Sequence, residues 1–227
     1  RAVRADYYTE AIPKLRIRVV HAADADGAHG GIGDAHVVRT VPGFKKIRFD
    51  THENVGFGPI HLPDLELHTR AAFWPMPGDV FTALDPVVRA GAAIGAAHAI
   101  HHGAALLLMC DAADLGHAIT AGSPGSFVPT IVPWRGAGAD TILAAGARPT
   151  IVLYDRVPGG AGLATTAFSL GAELFARVLA MVRGCACKAG CPTCLGPGLA
   201  DASAPVDRDA VALVLDALRR TAGGAIA

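Results

Sequence analysis

The stretch Cys185-Ala-Cys187-Lys-Ala-Gly-Cys191-Pro-Thr-Cys194 holds four of the five cysteines of this chain. Their spacing is C-x-C-x3-C-x2-C, and four thiolates complete the coordination of a tetrahedral ion such as Zn²⁺. Gly190 and Pro192 allow sharp turns, so that both cysteine pairs can face one ion. A site without an open position is typical of a structural metal. We therefore predict one structural zinc ion held by Cys185, Cys187, Cys191 and Cys194.

Three other uses of the same cysteines remain open at this stage. Disulfides would include a strained C-x-C bridge, and clustered free thiols are natural in a reducing compartment, which makes the cytoplasm the expected location. A redox-active pair is the second alternative, although no thioredoxin-like strand precedes the cluster. An iron–sulfur cluster is the third, because it uses the same thiolate ligands.

The composition is that of a packed globular protein. Of the 227 residues, 52% are hydrophobic, which is enough for a sizeable core. The formal net charge is zero, so a nucleic-acid-binding role can rest only on local basic patches. The sequence begins with arginine and shows no leader pattern at that point, and we expect it to be a fragment, a processed product or a trimmed form of a longer protein.

Residues 90–110 form a membrane-like apolar run. The run is mostly alanine and glycine, and His98, His101 and His102 lie within it. This composition favours a buried helix over a membrane span, so we expect no membrane partner.

Residues 1–78 are predicted to form a β-rich basic subdomain. Residues 15–20 alternate apolar and basic side chains, and strands at 35–40, 45–50 and 65–74 complete an antiparallel sheet. Residues 21–34 are interpreted as a hairpin connection, and Pro42-Gly43 as a turn. The basic side chains form either a solvated surface or a strip that contacts DNA phosphates. The candidates are Arg16, Arg18, Arg39, Lys45, Lys46 and Arg48.

Residues 79–227 are predicted to form an α/β subdomain with the four-cysteine knot, packed with the first into one unit of the α+β class. We expect helices at 79–109, 163–183 and 207–221, a strand at 150–155, and Asp207 as the cap of the last helix. The glycine loop at 158–162 is either a tight turn or a cradle for an anion. Asp111 and Asp114 either cap a turn or form a catalytic pair, and capping is favoured.

Four segments in this order resemble a known family. They are Asp6-Tyr-Tyr-Thr9, Cys110-Asp-Ala-Ala-Asp-Leu-Gly116, residues 154–162 and Gly190-Cys-Pro-Thr-Cys194. Together they resemble the C-terminal zinc-binding region of superfamily 2 (DEAD/DEAH-box) DNA helicases similar to mitomycin repair factor A (YprA-like). The tail at 196–204 departs from the further cysteine and asparagine that we expect in relatives.

The resemblance implies an accessory domain of an ATP-dependent 3′-to-5′ DNA helicase in DNA repair. Its implied partners are single-stranded or forked DNA and the motor domains of the same chain. No G-x-x-x-x-G-K followed by Ser or Thr, and no Asp-Glu-x-His box, occurs in this sequence, so ATP would act only through a motor outside it. Phosphates would meet the basic strands, and Tyr7, Tyr8, Phe44 or Trp74 would stack on a base.

Two rival functions follow from the same residues. The first is a non-motor scaffold subunit of a phage-defence complex, which the reading frame upstream of Arg1 would distinguish from a helicase. The second is a hydrolase in which Asp111, Asp114 and Asp155 converge on one reacting atom beside the glycine loop.

Overall fold

The computed structural model describes residues 5–23, 30–120, 128–130, 149–187, 189–195 and 206–222. Its strands are β1 (Tyr7–Ala23), β2 (Gly31–Arg48), β3 (Asn54–Pro59), β4 (Leu65–Pro75), β5 (Leu115–Thr120), β6 (Val128–Thr130) and β7 (Thr150–Asp155). Its helices are α1 (Gly78–Ala83), α2 (Pro86–Leu108), α3 (Leu163–Leu170), α4 (Ala172–Gly184), α5 (Pro192–Leu195) and α6 (Arg208–Ala222). A 3-10 turn, Ala112–Asp114, leads into β5.

The strands form one sheet in the order β5-β7-β4-β2-β1-β6, with β3 paired to the second half of β2. Every pairing among the described strands is antiparallel. Phe73 of β4 lies opposite Val152 of β7, so the sheet continues across the predicted boundary at residue 78. The predicted α+β class, with an antiparallel sheet packed against helices, is confirmed.

Strand β2 is continuous where the sequence predicted two strands and a turn. Its first half, residues 31–39, pairs with β4, and residues 43–47 pair with β3. Pro42 lies between the segment that pairs with β4 and the segment that pairs with β3, where its missing N–H removes no ladder hydrogen bond. The register of β2 against β1 shifts at the same place, as at a bulge. The predicted turn is therefore wrong. The predicted hairpin connection is also too long, because residues 21–23 and 31–34 are strand; residues 24–29 lie outside the described part of the chain.

Helix α2 is the central helix of the main hydrophobic core. The segment Val88–Leu108 is long and apolar enough to cross a membrane, but 72% of its most apolar window is buried inside the protein, as in a core helix. A Cβ at Gly95 would lie 2.5 Å from Cγ2 of Val211 on α6, and one at Gly103 would collide with Val178 on α4. These two glycines therefore let α2 approach both neighbouring helices closely.

The single helix predicted at 163–183 is two helices, α3 and α4, bent by 83° at their junction. Gly171 lies at the junction with φ 50° and ψ −125°, a conformation that side-chain-bearing residues rarely adopt. The bend lets α3 bring Phe168 against Trp74 of the sheet, with ring centroids 5.8 Å apart. Helix α4 runs on to the cysteines.

Candidate metal centre

Four cysteine sulfurs converge just after the end of α4. The Sγ–Sγ distances are 3.5 Å for Cys185–Cys191, 3.6 Å for Cys187–Cys194 and 3.8 Å for Cys191–Cys194, and all four sulfurs lie within 4.8 Å of one another. Around one tetrahedral ion with metal–sulfur bonds of about 2.3 Å, the sulfurs are about 3.8 Å apart. The donor set and its spacing therefore fit one tetrahedral ion.

The same distances decide between the alternatives for this cluster. A disulfide holds its sulfurs about 2.05 Å apart, whereas all four cysteines have free thiols. An iron–sulfur cluster places several irons and sulfides between its thiolates, which requires a wider arrangement. Spacing alone therefore favours a single ion over disulfides and over an iron–sulfur cluster.

The backbone of the knot is shaped by two turns. Cys185 follows α4 in an extended conformation, and Gly190 has φ 99°, which reverses the chain before Cys191. The carbonyl oxygen of Cys191 accepts the N–H groups of Cys194 (3.1 Å) and Leu195 (2.9 Å), which forms the short helix α5. The Cys191 N–H in turn donates to Cys194 Sγ over 3.4 Å.

The four thiols differ in their electrostatic environment. A hydrogen bond from the Cys194 N–H, together with that from the Cys185 thiol, lowers the pKa of the Cys191 thiol to about 6, which favours its thiolate form. Burial raises the pKa of the Cys194 thiol to about 12. A divalent cation bound here replaces the Cys194 proton, because only thiolates are strong ligands.

Two contacts fasten the knot to the rest of the fold. Cys194 and Leu195 are buried, and Leu195 lies next to Gly95 of α2 in the main core. Arg208, the first residue of α6, donates from Nη1 to the carbonyl oxygens of Cys185 (2.8 Å) and Cys187 (2.5 Å).

The predicted cap Asp207 accepts the N–H groups of Asp209 (2.8 Å) and Ala210 (3.1 Å) and fixes the start of α6. Sequence reasoning missed Arg208; its only signal was its position beside the cap.

A model of the MrfA zinc-binding domain family matches residues 96–195, from the middle of α2 to the end of the knot. The chain is also 30% identical over 204 residues to the uncharacterized ATP-dependent helicase YprA of Bacillus subtilis (strain 168). This match covers 86% of the chain and 24% of YprA. Residues 96–195 are thus similar to the MrfA zinc-binding domain family.

Solved helicases extend the likeness beyond residues 96–195. A crystal structure of the DUF1998 helicase MrfA bound to DNA is similar to this chain with a TM-score of 0.60 and 25% identity, over 95% of this chain and 26% of that one. The structure of MrfA bound to DNA and AMPPNP gives a TM-score of 0.54 and 27% identity, over 94% and 23%. The chain thus spans about a quarter of the relatives that it matches.

The predicted DNA-contacting residues do not form one strip. Side-chain alternation on β1 and its register with β2 divide them between the two faces of the sheet. Arg16, Arg18 and Lys45 share one face, and Arg39, Lys46 and Arg48 share the other. Arg16 also forms an ion pair with Asp64 at 3.5 Å. Lys45, opposite Glu10, lies six residues from Arg16 along β1, or about 20 Å, so these two side chains are far apart although they share a face.

Exposed aromatic rings lie beside Lys45 and Lys46, at the end of the sheet where β3 pairs with β2. Lys46 Nζ lies 5.2 Å from the centroid of the Tyr7 ring, and Lys45 Nζ lies 6.0 Å from that of Phe57. The Tyr8 ring is 5.4 Å from a further exposed ring, that of Phe49. We call this end of the sheet the aromatic–basic wing. It comprises Tyr7 and Lys46 on one face, Tyr8, Lys45 and Phe57 on the other, and Phe49 beside Tyr8. Sequence reasoning missed both Phe57, which lies in a segment expected to be a connection, and Phe49, which lies in the strand predicted at 45–50 and follows the end of β2 in the structure.

The proposed role of Trp74 in base stacking is wrong. Its side chain is 2% exposed and packs edge-on against Phe175 of α4, with centroids 5.5 Å apart. Phe44 is partly buried and lies over Gly58 of β3, where an added Cβ would come within 2.6 Å of its ring. Tyr7 and Tyr8 remain accessible, with 45% and 37% of their surface exposed.

The glycine loop binds a carboxylate of the protein itself. Asp155 Oδ2 accepts the N–H groups of Ala161 (2.6 Å) and Gly162 (2.7 Å), and Oδ1 accepts that of Ala164 (2.7 Å). The side chain is fully buried. The loop is therefore a tight strand-to-helix turn, and the anion cradle is wrong for these donors.

The three aspartates do not assemble a hydrolytic site. Asp111 Oδ1 accepts the Ala113 N–H at 2.8 Å and caps the 3-10 turn, as predicted. Both carboxylate oxygens of Asp155 are engaged by backbone donors, and Asp114 is exposed. A general base needs an accessible oxygen directed at a reacting atom, and Asp155 has none among the described contacts.

Proposed function

We propose that this chain is the zinc-stabilised C-terminal accessory domain of an ATP-dependent 3′-to-5′ DNA helicase that acts in DNA repair in the cytoplasm. The observation that carries the proposal is the four-thiol cluster inside the segment that is similar to the MrfA zinc-binding domain family. Support for a role beside a DNA motor comes from MrfA, which has been crystallised with DNA and AMPPNP. ATP is hydrolysed by motor domains outside these residues.

One Zn²⁺ held by the four cysteines is structural in this proposal. All four positions are taken by protein sulfur, so no position remains for a substrate. The ion joins the end of α4 to α5, and Arg208 joins the same backbone to α6. Its role is to hold the three helices at fixed angles as a rigid support for the motor.

Metal analysis with Cys191→Ser tests this role, and Cys110→Ser is the matched control because Cys110 is outside the four-thiol cluster. We expect one zinc per parent chain and per Cys110→Ser chain. Cys191→Ser should lose the zinc and several kcal/mol of stability, because an incomplete thiolate set binds Zn²⁺ poorly. An unchanged melting temperature together with unchanged zinc content would contradict the structural role.

Single-stranded DNA is proposed to bind at the aromatic–basic wing. Exposed rings that can stack on bases, next to lysines that can meet phosphates, are the usual combination in such sites. Phe57 is 67% exposed and Phe49 is 50% exposed, so both rings are available to a base. The neutral net charge limits the footprint to a few phosphates.

The wing is tested by titrating labelled single-stranded, forked and duplex DNA at two salt concentrations. Lys45→Glu/Lys46→Glu should weaken single-strand binding at least tenfold and reduce the salt slope by about 1.4, since each phosphate contact contributes about 0.7 on single strands. Arg177→Glu/Arg220→Glu makes the same charge change on the helices and should bind like the parent. Binding curves of the wing variant that coincide with those of this control at both salts would remove the wing from the proposal.

A further inference from the structure

Two histidines and a glutamate meet on the sheet, far along the chain from the cysteines. His36 of β2 and His68 of β4 are register partners, and their rings stack with centroids 4.3 Å apart and planes 7° apart. Glu66 precedes His68 by two residues and therefore shares its face. Its Oε2 lies 3.1 Å from His36 Nε2.

We propose that His36, Glu66 and His68 form a second metal site, which binds a divalent transition-metal ion such as Zn²⁺. One ligand atom from each residue lies within 4.8 Å of the other two. Two imidazoles and one carboxylate are the donor set of open zinc sites. This site is independent of the helicase role proposed above and of the four-cysteine knot.

The geometry requires only side-chain rotation. Ligands of a tetrahedral ion at about 2.0–2.1 Å lie about 3.3 Å apart, and the His36–Glu66 pair already meets this spacing. The remaining separations are at most 4.8 Å and must therefore shorten by no more than about 1.5 Å. Glu66 and His68 are exposed, so staggered rotamers that bring them inward are accessible at low cost.

A cavity lies beside two of the three ligands, Glu66 and His68. It has a volume of about 570 Å³, and Glu66, His68, Thr69 and Gly159 are among its lining residues. The Gly159 N–H donates to the His68 carbonyl oxygen at 2.8 Å, which holds this wall of the cavity against β4. Three protein ligands leave the fourth position of the ion open, and the cavity gives water or a small anion access to it.

Neighbouring charges set the expected affinity below that of the knot. Arg18 lies opposite His36 on β1, and its positive charge opposes a bound cation. Asp34 does not offset this charge, because it is paired with Arg70 at 2.6 Å. The knot offers four sulfur donors, which bind zinc more tightly than two imidazoles and a carboxylate. Zinc should therefore fill the knot first, and the second site should be seen in a later step.

The experiment titrates the zinc-loaded chain with Co²⁺. We expect one additional equivalent to bind without the thiolate-to-cobalt charge-transfer absorption that Co²⁺ shows when sulfur is a ligand. His36→Ala/His68→Ala should weaken this step at least tenfold and leave the zinc content of the knot unchanged. His61→Ala/His102→Ala, which removes two histidines outside the cluster, is the matched control and should bind Co²⁺ like the parent.

The conservative variants complete the test. Glu66→Gln should weaken the same step, and His68→Gln alone, at an exposed position, replaces the double variant if that variant does not fold. The proposal would be overturned if the zinc-loaded chain bound no Co²⁺ at millimolar concentration. Equal Co²⁺ affinities in the control and the His36/His68 variants would overturn it as well. Charge-transfer absorption during the second step would overturn it too, since that signal would place the ion on sulfur.

Discussion

The guanidinium of Arg208 donates a hydrogen bond to the carbonyl oxygen of Cys185, with 2.8 Å between Nη1 and O. The same nitrogen also donates to the Cys187 carbonyl oxygen. Helix α6 therefore holds the backbone of the knot, whereas the sulfurs stay directed at one another. An ion in the knot and the last helix should consequently stabilise each other.

Arg208→Met should lower the free energy of unfolding by about 1–3 kcal/mol, because it leaves two carbonyl groups without their charged donor. Urea unfolding of the zinc-loaded chain measures this loss. Arg177→Met is the control, since Arg177 is exposed and its one contact among the described residues is an i,i+4 pair with Glu173 that is worth about 0.3–0.5 kcal/mol. Similar losses in the two variants would show that the knot does not depend on Arg208.

Asp155→Asn should destabilise the chain by about 2–3 kcal/mol. The amide places a donor where Asp155 now accepts three backbone N–H groups, so at least one charge-assisted hydrogen bond is lost inside the protein. Asp111→Asn makes the same chemical change at an exposed cap and should be nearly neutral, because Asn caps as well as Asp. Thermal or urea unfolding compares the two, and equal stabilities would contradict this account of the glycine loop.

Gly171→Ala and Gly184→Ala should change stability in opposite directions. Gly171 has φ 50°, so a Cβ there should cost about 1–3 kcal/mol. Gly184 lies at the end of α4 with no heavy atom within 4 Å of an added Cβ, and alanine there should stabilise the chain by about 0.4–1 kcal/mol. Urea midpoints of both variants give the sign, and a stabilising Gly171→Ala would mean that the α3–α4 bend does not need glycine.

Acid should destabilise the fold through His117. Burial, reinforced by His101 and His98, holds the pKa of His117 well below its usual value. In the unfolded chain the imidazole gains its proton near pH 6.5, while the folded protein keeps it neutral. Below that pH the unfolded state binds more protons, so the free energy of unfolding should fall by up to about 1.4 kcal/mol per pH unit for this group.

His117→Gln should therefore flatten the decline in stability between about pH 6.5 and pH 5. His102→Gln should retain the parent slope and serves as the control. The difference between the parent and His117→Gln separates the histidine from the acid lability of the zinc site, which both proteins share. Parallel pH profiles for the parent and His117→Gln would rule out the histidine as the source.

Elements with a clear local pattern were predictable from the sequence. Alternation along β4, the apolar run of β7 and the cap at Asp207 each involve residues that are near one another in the chain. Strand β3 was missed because Gly56, Gly58 and Pro59 resemble a loop, and only pairing with β2 makes the segment a strand. Strand β5 was missed because Gly116 and His117 interrupt its apolar run, although every residue in it is buried, as in β7.

The candidate sites also differ in whether they depend on residues that are close in the chain or on contacts between distant segments. The spacing of Cys185, Cys187, Cys191 and Cys194 by itself determined the four-thiol cluster, because one ion imposes its geometry on residues that are close in sequence. Only the tertiary structure decided that Arg208 holds the knot and that His36 meets His68, since these contacts depend on helix packing and on strand register. The physical reason is the separation along the chain of the residues that take part in each interaction. Turns and the four-cysteine cluster involve residues that are close in the chain, whereas the order of the strands decides which distant side chains share a face.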